Sequence, residues 1–349
     1  MSDSKSLIAD GIERIFKQTV DRKLLDAFEE GHWPAALWDL VAASGYQRVL
    51  DSDGHAAPDW QDAEAVLLAL GFYRVPLPLG ETLVANWLCA RAGLAAADDV
   101  ATLVDGRKLQ LAFDGAAGLT INGSVPRVPW ARHCRRLILD GSAGGRPVIA
   151  IVEAGAPGLV ITPGKNLAGE PRDDVRFDGC RALTFANDDS GFENPVRLYG
   201  ALLRATTMAG AAASLLDQSV VYVNDRVQFG RPLARFQAIQ HMLAELASEA
   251  AAATMAAAAA CAAAAAPHAS LEIATAKVRA GQMSVKVTRI AHQVHGAIGF
   301  THEHDLHFAT RRLWAWRSEF GGDASWAEQI GLAALRAGSA GFWAQCLVA

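Results

Sequence analysis

Along the N-terminal stretch, Leu7, Ile8, Ile12, Ile15, Phe16, Val20, Leu24 and Phe28 recur three and four residues apart. That is the stripe an amphipathic helix turns toward a core, and Ser4 or Ser6 is placed to cap it. "HWPAALWDLVAASGY" puts Pro34 at a first helical turn and Gly45 just past the end, the asymmetry a helix favours. "DWQDAEAVLLALG" and "GETLVANWLCARAGL" predict two more helices, separated by the Pro76–Pro78 breaker. Residues 1–105 therefore read as helical.

From about Arg107 to Phe185 the pattern shortens. "RKLQLAF", "GLTINGSV", "RRLILDGS", "RPVIAIVEA", "GLVITPG" and "VRFDGCRALTF" are brief apolar runs bounded by glycine, proline or Asp-Gly. Such runs predict a small β barrel or sandwich over 106–190. Helical texture returns near Pro195, with helices predicted at 196–225, 235–266, 269–296 and 305–318 and one more at the C-terminus. The alanine tract of 250–266 is helical by propensity, suits close helix packing, and is ended by Pro267–His268. The order is an N-terminal helical domain, a central β domain and a C-terminal helical domain over 191–349: α+β, mainly α.

Composition narrows the classes. Of 349 residues, 51% are apolar and 20% charged, and the net charge of −5 gives no electrostatic reason for a nucleic-acid or acidic-membrane partner. "MSDSKSLIADGIERIF" lacks the basic-then-apolar texture of a signal peptide, and no stretch reads as a bilayer span. Cys89, Cys134, Cys180, Cys261 and Cys346 show no C-x-x-C pair, which suggests reduced thiols and a cytoplasmic location.

One stretch interrupts the apolar helices. "RVQFGRPLARFQAIQHMLAEL", from Arg226 to Leu246, breaks at Gly230 and Pro232 amid arginines, glutamines and phenylalanines. A core has no use for so many donors, and a solvated face has no use for the phenylalanines. A second stretch, "AHQVHGAIGFTHEHDLHFATRRLWAWRSEFGG" (291–322), ends a helix at His295–Gly296, with Gly296 and Gly299 freeing the backbone for close approach.

Together these stretches resemble the acyl-CoA dehydrogenase family. Its R-x-x-F-G-x-x-[ILP]-x-x-x-Q segment is matched by "RVQFGRPLARFQ", and its Q-x-x-G-G-x-G-[FY]-x-x-E segment by "QVHGAIGFTHE" at nearly the family's separation. The helical–β–helical order agrees over nearly the whole length. The resemblance implies an acyl-CoA dehydrogenase-like fold with a C-terminal four-helix bundle. It also implies FAD as cofactor, α,β-dehydrogenation of an acyl-CoA thioester, and an electron-transfer flavoprotein as electron acceptor. By position, Arg226, Gln228, Phe229, Phe236 and Gln237 would reach the FAD of a neighbouring subunit. Gln293, Val294, His295, Gly296 and Ala297 would line its adenosine–pyrophosphate path, with Ala297 where the family usually has a second glycine. His302, His304 and His307 in "HEHDLH" form no standard zinc spacing, and the family carries a similar stretch as a loop; no metal is expected.

Two parts of the family pattern are missing. The base, a carboxylate, is counted from Gln293 onto Phe320, with Glu319 one residue early. The alternative position, counted back from Arg226, falls on Gly200. The T-E-x-x-x-G-S-D and W-[IF]-[TS] segments that pack on the flavin ring are absent too. Such losses resemble the short subunit of heterotetrameric (α2β2) bacterial acyl-CoA dehydrogenases of steroid and sterol side-chain degradation. The expectation is an auxiliary subunit that completes the FAD site of a longer dehydrogenase chain, acting on a steroid side-chain or other bulky acyl-CoA. The alternatives are a self-sufficient homo-oligomer with Glu319 as base, and a flavin-free scaffold.

Overall fold

The computed structural model describes residues 3–51, 59–115, 118–266 and 269–347. The chain opens with helices α1 (Asp3–Thr19), α2 (Arg22–Glu29), α3 (Ala35–Ala43), α4 (Trp60–Phe72) and α5 (Leu79–Arg91). The single N-terminal stripe is in fact two helices. Asp21 takes the Leu24 amide on its side chain (2.8 Å) and so starts α2, while Ser4 and Ser6 lie inside α1 rather than capping it. Pro34 directly precedes α3, and Gly45 follows it in the left-handed region at φ 77°, as the sequence predicts.

Eight strands follow: β1 (Ala101–Val104), β2 (Gln110–Asp114), β3 (Gly118–Pro129), β4 (Arg136–Ala143), β5 (Arg146–Glu153), β6 (Leu159–Thr162), β7 (Arg172–Arg181) and β8 (Thr184–Asn187). They form one sheet in the order β6-β7-β3-β2-β4-β5-β8, with β1 parallel to β4. β1 falls in a segment whose texture reads as helical. Ile121, Leu137, Leu139, Val148, Val152 and Phe177 make the core of this sheet. Asp140 lies within β4 rather than in a turn after it. Its carboxylate accepts from the amides of Gly106 (3.0 Å) and Val196 (3.1 Å), and burial raises its pKa to about 6.

The remaining elements are helix α6 (Pro195–Asp225), a hairpin of β9 (Val227–Gln228) and β10 (Arg231–Pro232), and helices α7 (Gln237–Ala263), α8 (Ala269–His295), α9 (Leu306–Trp316) and α10 (Asp323–Leu347). The chain divides into two compact units. One comprises the described parts of Met1–Leu25, Glu64–Val75 and Ala201–Ala349, and the other Asp26–Ala63 and Pro76–Gly200. In the first, α4 and α6 approach so closely that a Cβ on Gly71 would stand 1.9 Å from the Thr207 carbonyl oxygen. A Cβ on Gly210 would stand 2.0 Å from that of Leu68.

α7 buries Ala250, Ala253, Ala257 and Ala260, small side chains that let it pack along α8. Glu249 joins the two helices through Lys286 (2.5 Å) and Arg279. α7 is long and apolar enough to cross a membrane by length and composition alone, a test that packed helices of a bundle also pass, and here it packs along α8. Pro267–His268, the predicted stop, lies outside the described residues. Cys89, Cys134, Cys180 and Cys261 are buried and in no disulfide, and the Cys346 side chain is outside the description.

Candidate functional site

α6 ends at Asp225, and the chain turns back on itself at once. β9 and β10 pair antiparallel, Gln228 with Arg231 and Val227 with Pro232, and the Leu233 amide donates to the Arg226 carbonyl at 2.9 Å. Phe229 and Gly230 form the two-residue turn at φ 53° and 78°, the positive values such a hairpin requires. Phenylalanine in this region is strained by about 1–2 kcal/mol. Phe229 is nonetheless 89% exposed, with its ring edge-on to Phe236 at 6.1 Å between centroids. Arg231 covers Phe236 at 4.2 Å, a cation–π contact that stiffens the hairpin base. Arg226, Gln228 and Gln237 are exposed, and Arg226 makes no side-chain ion pair or hydrogen bond among the described residues.

The second stretch divides into an inward and an outward part. Val294 and His295 are buried, while Gln293, Gly296 and Ala297 face outward. His295 Nδ1 donates to the Ala291 carbonyl (2.7 Å), and its ring stacks on Tyr222 (4.5 Å) and meets the His304 ring edge-on (4.6 Å). Burial, with smaller contributions from His304 and His292, pushes the His295 pKa down to about 4, so the ring is neutral. Gly296 adopts φ 64° after α8, and Gly299 is held tightly against His295 and Leu306. The Tyr222–His295 stack sets the ends of α6 and α8 side by side. It thereby brings Arg226 and Gly296 to the same end of the bundle. The side chains of Val294 and His295 are buried within the bundle.

Beside Arg226 opens a cleft of about 710 Å³ walled by Tyr222 and His304 and rimmed by Asp217, Asp225 and Glu303. Arg22, at the start of α2, pins its far side through the carbonyls of His302 and Glu303 (the latter at 2.6 Å) and the Asp305 carboxylate at 3.1 Å. Tyr222 and Arg22 are the parts that sequence reasoning missed. Tyr222 stands one helical turn before Arg226, a spacing that could have revealed it. Arg22 comes from far along the chain, and no local signal marks it. The histidines of 302–307 point apart: His304 toward His295, and His307 onto Phe308 (4.0 Å) with His302 at its edge (4.7 Å). Among the described residues no three His, Cys, Asp or Glu side chains converge on a metal position.

The turn between α9 and α10 is the place counted for a base. Phe320 occupies the counted position at φ 52°, and its carbonyl accepts from Trp326 Nε1 at 3.1 Å. Glu319 is not the exposed helix-end residue its position in the sequence suggests. Its Oε2 accepts from Arg204 Nε of α6 at 2.6 Å, with both side chains buried (8% and 4% exposed). The Arg204 guanidinium also lies 5.7 Å from the centroids of both Trp316 and Phe320. Lys277 of α8, wholly buried, donates to the carbonyls of Trp316 (3.0 Å) and Arg317 (2.9 Å), closing the end of α9. Burial lowers its pKa to about 7, against a smaller opposing pull from Glu319. Arg317 pairs with Asp323 at 2.7 Å.

Residues 198–332 match the family model for the acyl-CoA dehydrogenase, C-terminal domain. The chain is 27% identical to acyl-CoA dehydrogenase IpdE2 of Mycolicibacterium smegmatis over 89% of its own length and 93% of that protein's. It is 31% identical to acyl-CoA dehydrogenase FadE34 of Mycobacterium tuberculosis over 87% of its own length but 43% of that protein's. Its fold superimposes on a chain of the crystal structure of the ChsE4–ChsE5 complex from Mycobacterium tuberculosis with a TM-score of 0.85, at 19% identity, covering 95% of this chain and 97% of that one. Residues 198–332 thus carry the acyl-CoA dehydrogenase C-terminal domain, and the chain is similar over most of its length to acyl-CoA dehydrogenases, a family of FAD-dependent oxidoreductases.

Proposed function

We propose that this chain is the auxiliary subunit of a heteromeric, FAD-dependent acyl-CoA dehydrogenase. The observation that carries the proposal is the buried Arg204–Glu319 pair. A general base must come within hydrogen-bond reach of the proton it takes, about 2.6–3.2 Å. The Glu319 carboxylate is held by a guanidinium instead, and Phe320 fills the counted position.

The bundle end fits the other half of the task. Arg226 has a forked donor set suited to a pyrophosphate, and the exposed Gln228, Gln237 and Gln293 add amide donors. Gly296 and Ala297 let a ligand approach the backbone, and Phe229 and Phe236 supply flat apolar contact. FAD, when bound, takes the electron pair that leaves with the substrate's β-hydrogen. This chain's residues hold and orient the cofactor, while the base and the flavin-ring contacts belong to a longer partner chain. The alignment with FadE34 supports this division, since a region like this chain makes up less than half of that protein.

The test is to purify the chain alone and together with a dehydrogenase chain encoded beside it, and to measure flavin absorbance and acyl-CoA turnover. We expect both activities only in the complex, which should contain four chains. Full flavin occupancy and turnover by the chain alone would favour the homo-oligomer. A colourless complex would favour a flavin-free scaffold.

A further inference from the structure

Lys277 is wholly buried on α8, and among the described residues its Nζ has two acceptors, the carbonyls of Trp316 (3.0 Å) and Arg317 (2.9 Å) at the end of α9. An ammonium carries three hydrogens and a neutral amine two, so the amine is the form that these acceptors satisfy. The charged groups facing it are Arg204 on α6, Glu319 and Arg317 in the turn after α9, and Asp323 at the start of α10. Arg204 pairs with Glu319 at 2.6 Å and Arg317 with Asp323 at 2.7 Å, so two anions are already matched by two cations. A charge on Lys277 is a fifth, out of water and unbalanced.

The turn that Lys277 holds is the anchor of α10. Phe320 and Gly321 pass through left-handed backbone at φ 52° and 97°, the first a strained value for a side chain of this size. Trp326, whose Nε1 donates to the Phe320 carbonyl at 3.1 Å, is the one buried side chain among the described residues of α10. A Cβ on Gly281, one turn beyond Lys277, would stand 2.7 Å from that of Asp323, so α8 and the start of α10 meet closely. Past Trp326 the helix rests on a half-buried row, Ile330, Ala333, Ala334 and Ala337, and Gly338 leaves helical geometry. We infer that Lys277 is a proton-operated clasp: as a neutral amine it closes the α9–α10 turn, and taking up a proton loosens the turn and lets α10 lift from α8. In the closed turn, burial holds the Lys277 pKa down to about 7, whereas in an open turn Nζ reaches water and titrates as an ordinary lysine. The open form binds more protons, so opening is favoured as pH falls toward 7 and levels off below it.

Hydrogen–deuterium exchange of the full chain, read by mass spectrometry near pH 9 and near pH 7, tests this. Each peptide's rate is divided by its intrinsic rate at the same pH, which leaves the protection alone. We expect α10 to be less protected than α7 at both pH values, because it opens without unfolding the molecule. Its protection should fall by at least about tenfold between the higher and the lower pH, the direction that proton linkage requires. In Lys277→Met, which keeps the bulk of the side chain but cannot titrate, α10 should be equally protected at both. If that variant does not fold, the native chain decides by itself. Equal protection of native α10 at the two pH values, or opening of α10 only together with α7, would overturn the inference. So would a pH dependence that persists in Lys277→Met.

Discussion

The two regions at which α6 meets other elements are opposites. Near its beginning Arg204 is buried, paired with Glu319 and covered by Trp316 and Phe320. At its end Arg226 is exposed, beside an open cleft and a hairpin that displays Phe229. In the closed region the polar groups Glu319, Lys277, Arg317 and Trp326 all have partners within the chain. In the open one, donors and aromatic surface are offered outward. A buried ion pair is weak evidence of net stabilisation, because desolvation cancels much of the attraction. What it does show is that the carboxylate is buried against a guanidinium, whereas the exposed, strained hairpin costs stability and makes no such contact within the chain.

Breaking the closed region should give the largest effect. Arg204→Met takes away the guanidinium that Glu319 accepts from while the carboxylate stays buried, and we expect a loss of about 3–5 kcal/mol in urea unfolding. Arg204→Met combined with Glu319→Leu should recover much of it. Breaking the open region should leave folding alone and cost cofactor. Arg226→Ala is expected to lower FAD affinity of the assembled complex tenfold or more, because a charge-assisted phosphate contact contributes about 1.5–3 kcal/mol. Unchanged flavin occupancy on gel filtration would mean that Arg226 is only a solvated corner.

The sequence made the open region more legible than the closed one. Gly230 and Pro232 break a helical run amid donors, a local signal, and the hairpin stands where that signal puts it. Arg204 and Glu319 are far apart in the chain, and no periodicity joins them. Glu319 therefore reads as an exposed residue at a helix end, and only tertiary packing shows that it is buried. His295 ends α8 where Gly296 predicts the stop, but its side chain faces inward and stacks on Tyr222. In the N-terminal stripe, the apolar spacing runs on through Val20 and Asp21 although the backbone does not, because periodicity cannot detect a break that preserves the buried face.

Two finer predictions sharpen the contrast. The Lys277 ammonium is buried, so the folded protein loses this proton near pH 7, while the unfolded chain keeps it until about 10.5. Over that window the unfolded state binds more protons, and stability should rise with pH by up to a few kcal/mol before levelling off. The rise should vanish in Lys277→Met, which removes the titration, as calorimetric melts at several pH values would show. At the hairpin tip, Phe229→Asn suits the left-handed backbone and should stabilise the isolated chain by less than about 1 kcal/mol. The same change should weaken FAD retention in the complex, so a chemical melt and a flavin assay should move in opposite directions.

The most direct measurement is turnover per bound flavin in the assembled complex carrying Glu319→Gln. The substitution keeps the shape of the carboxylate but removes its charge from Arg204, so some stability is lost and activity must be normalised to folded, flavin-bearing protein. We expect turnover within about threefold of the native complex, because the proton acceptor is not on this chain. A loss of about a hundredfold or more, the scale of a missing general base, with flavin retained, would contradict this and make the chain a complete enzyme with Glu319 as its base.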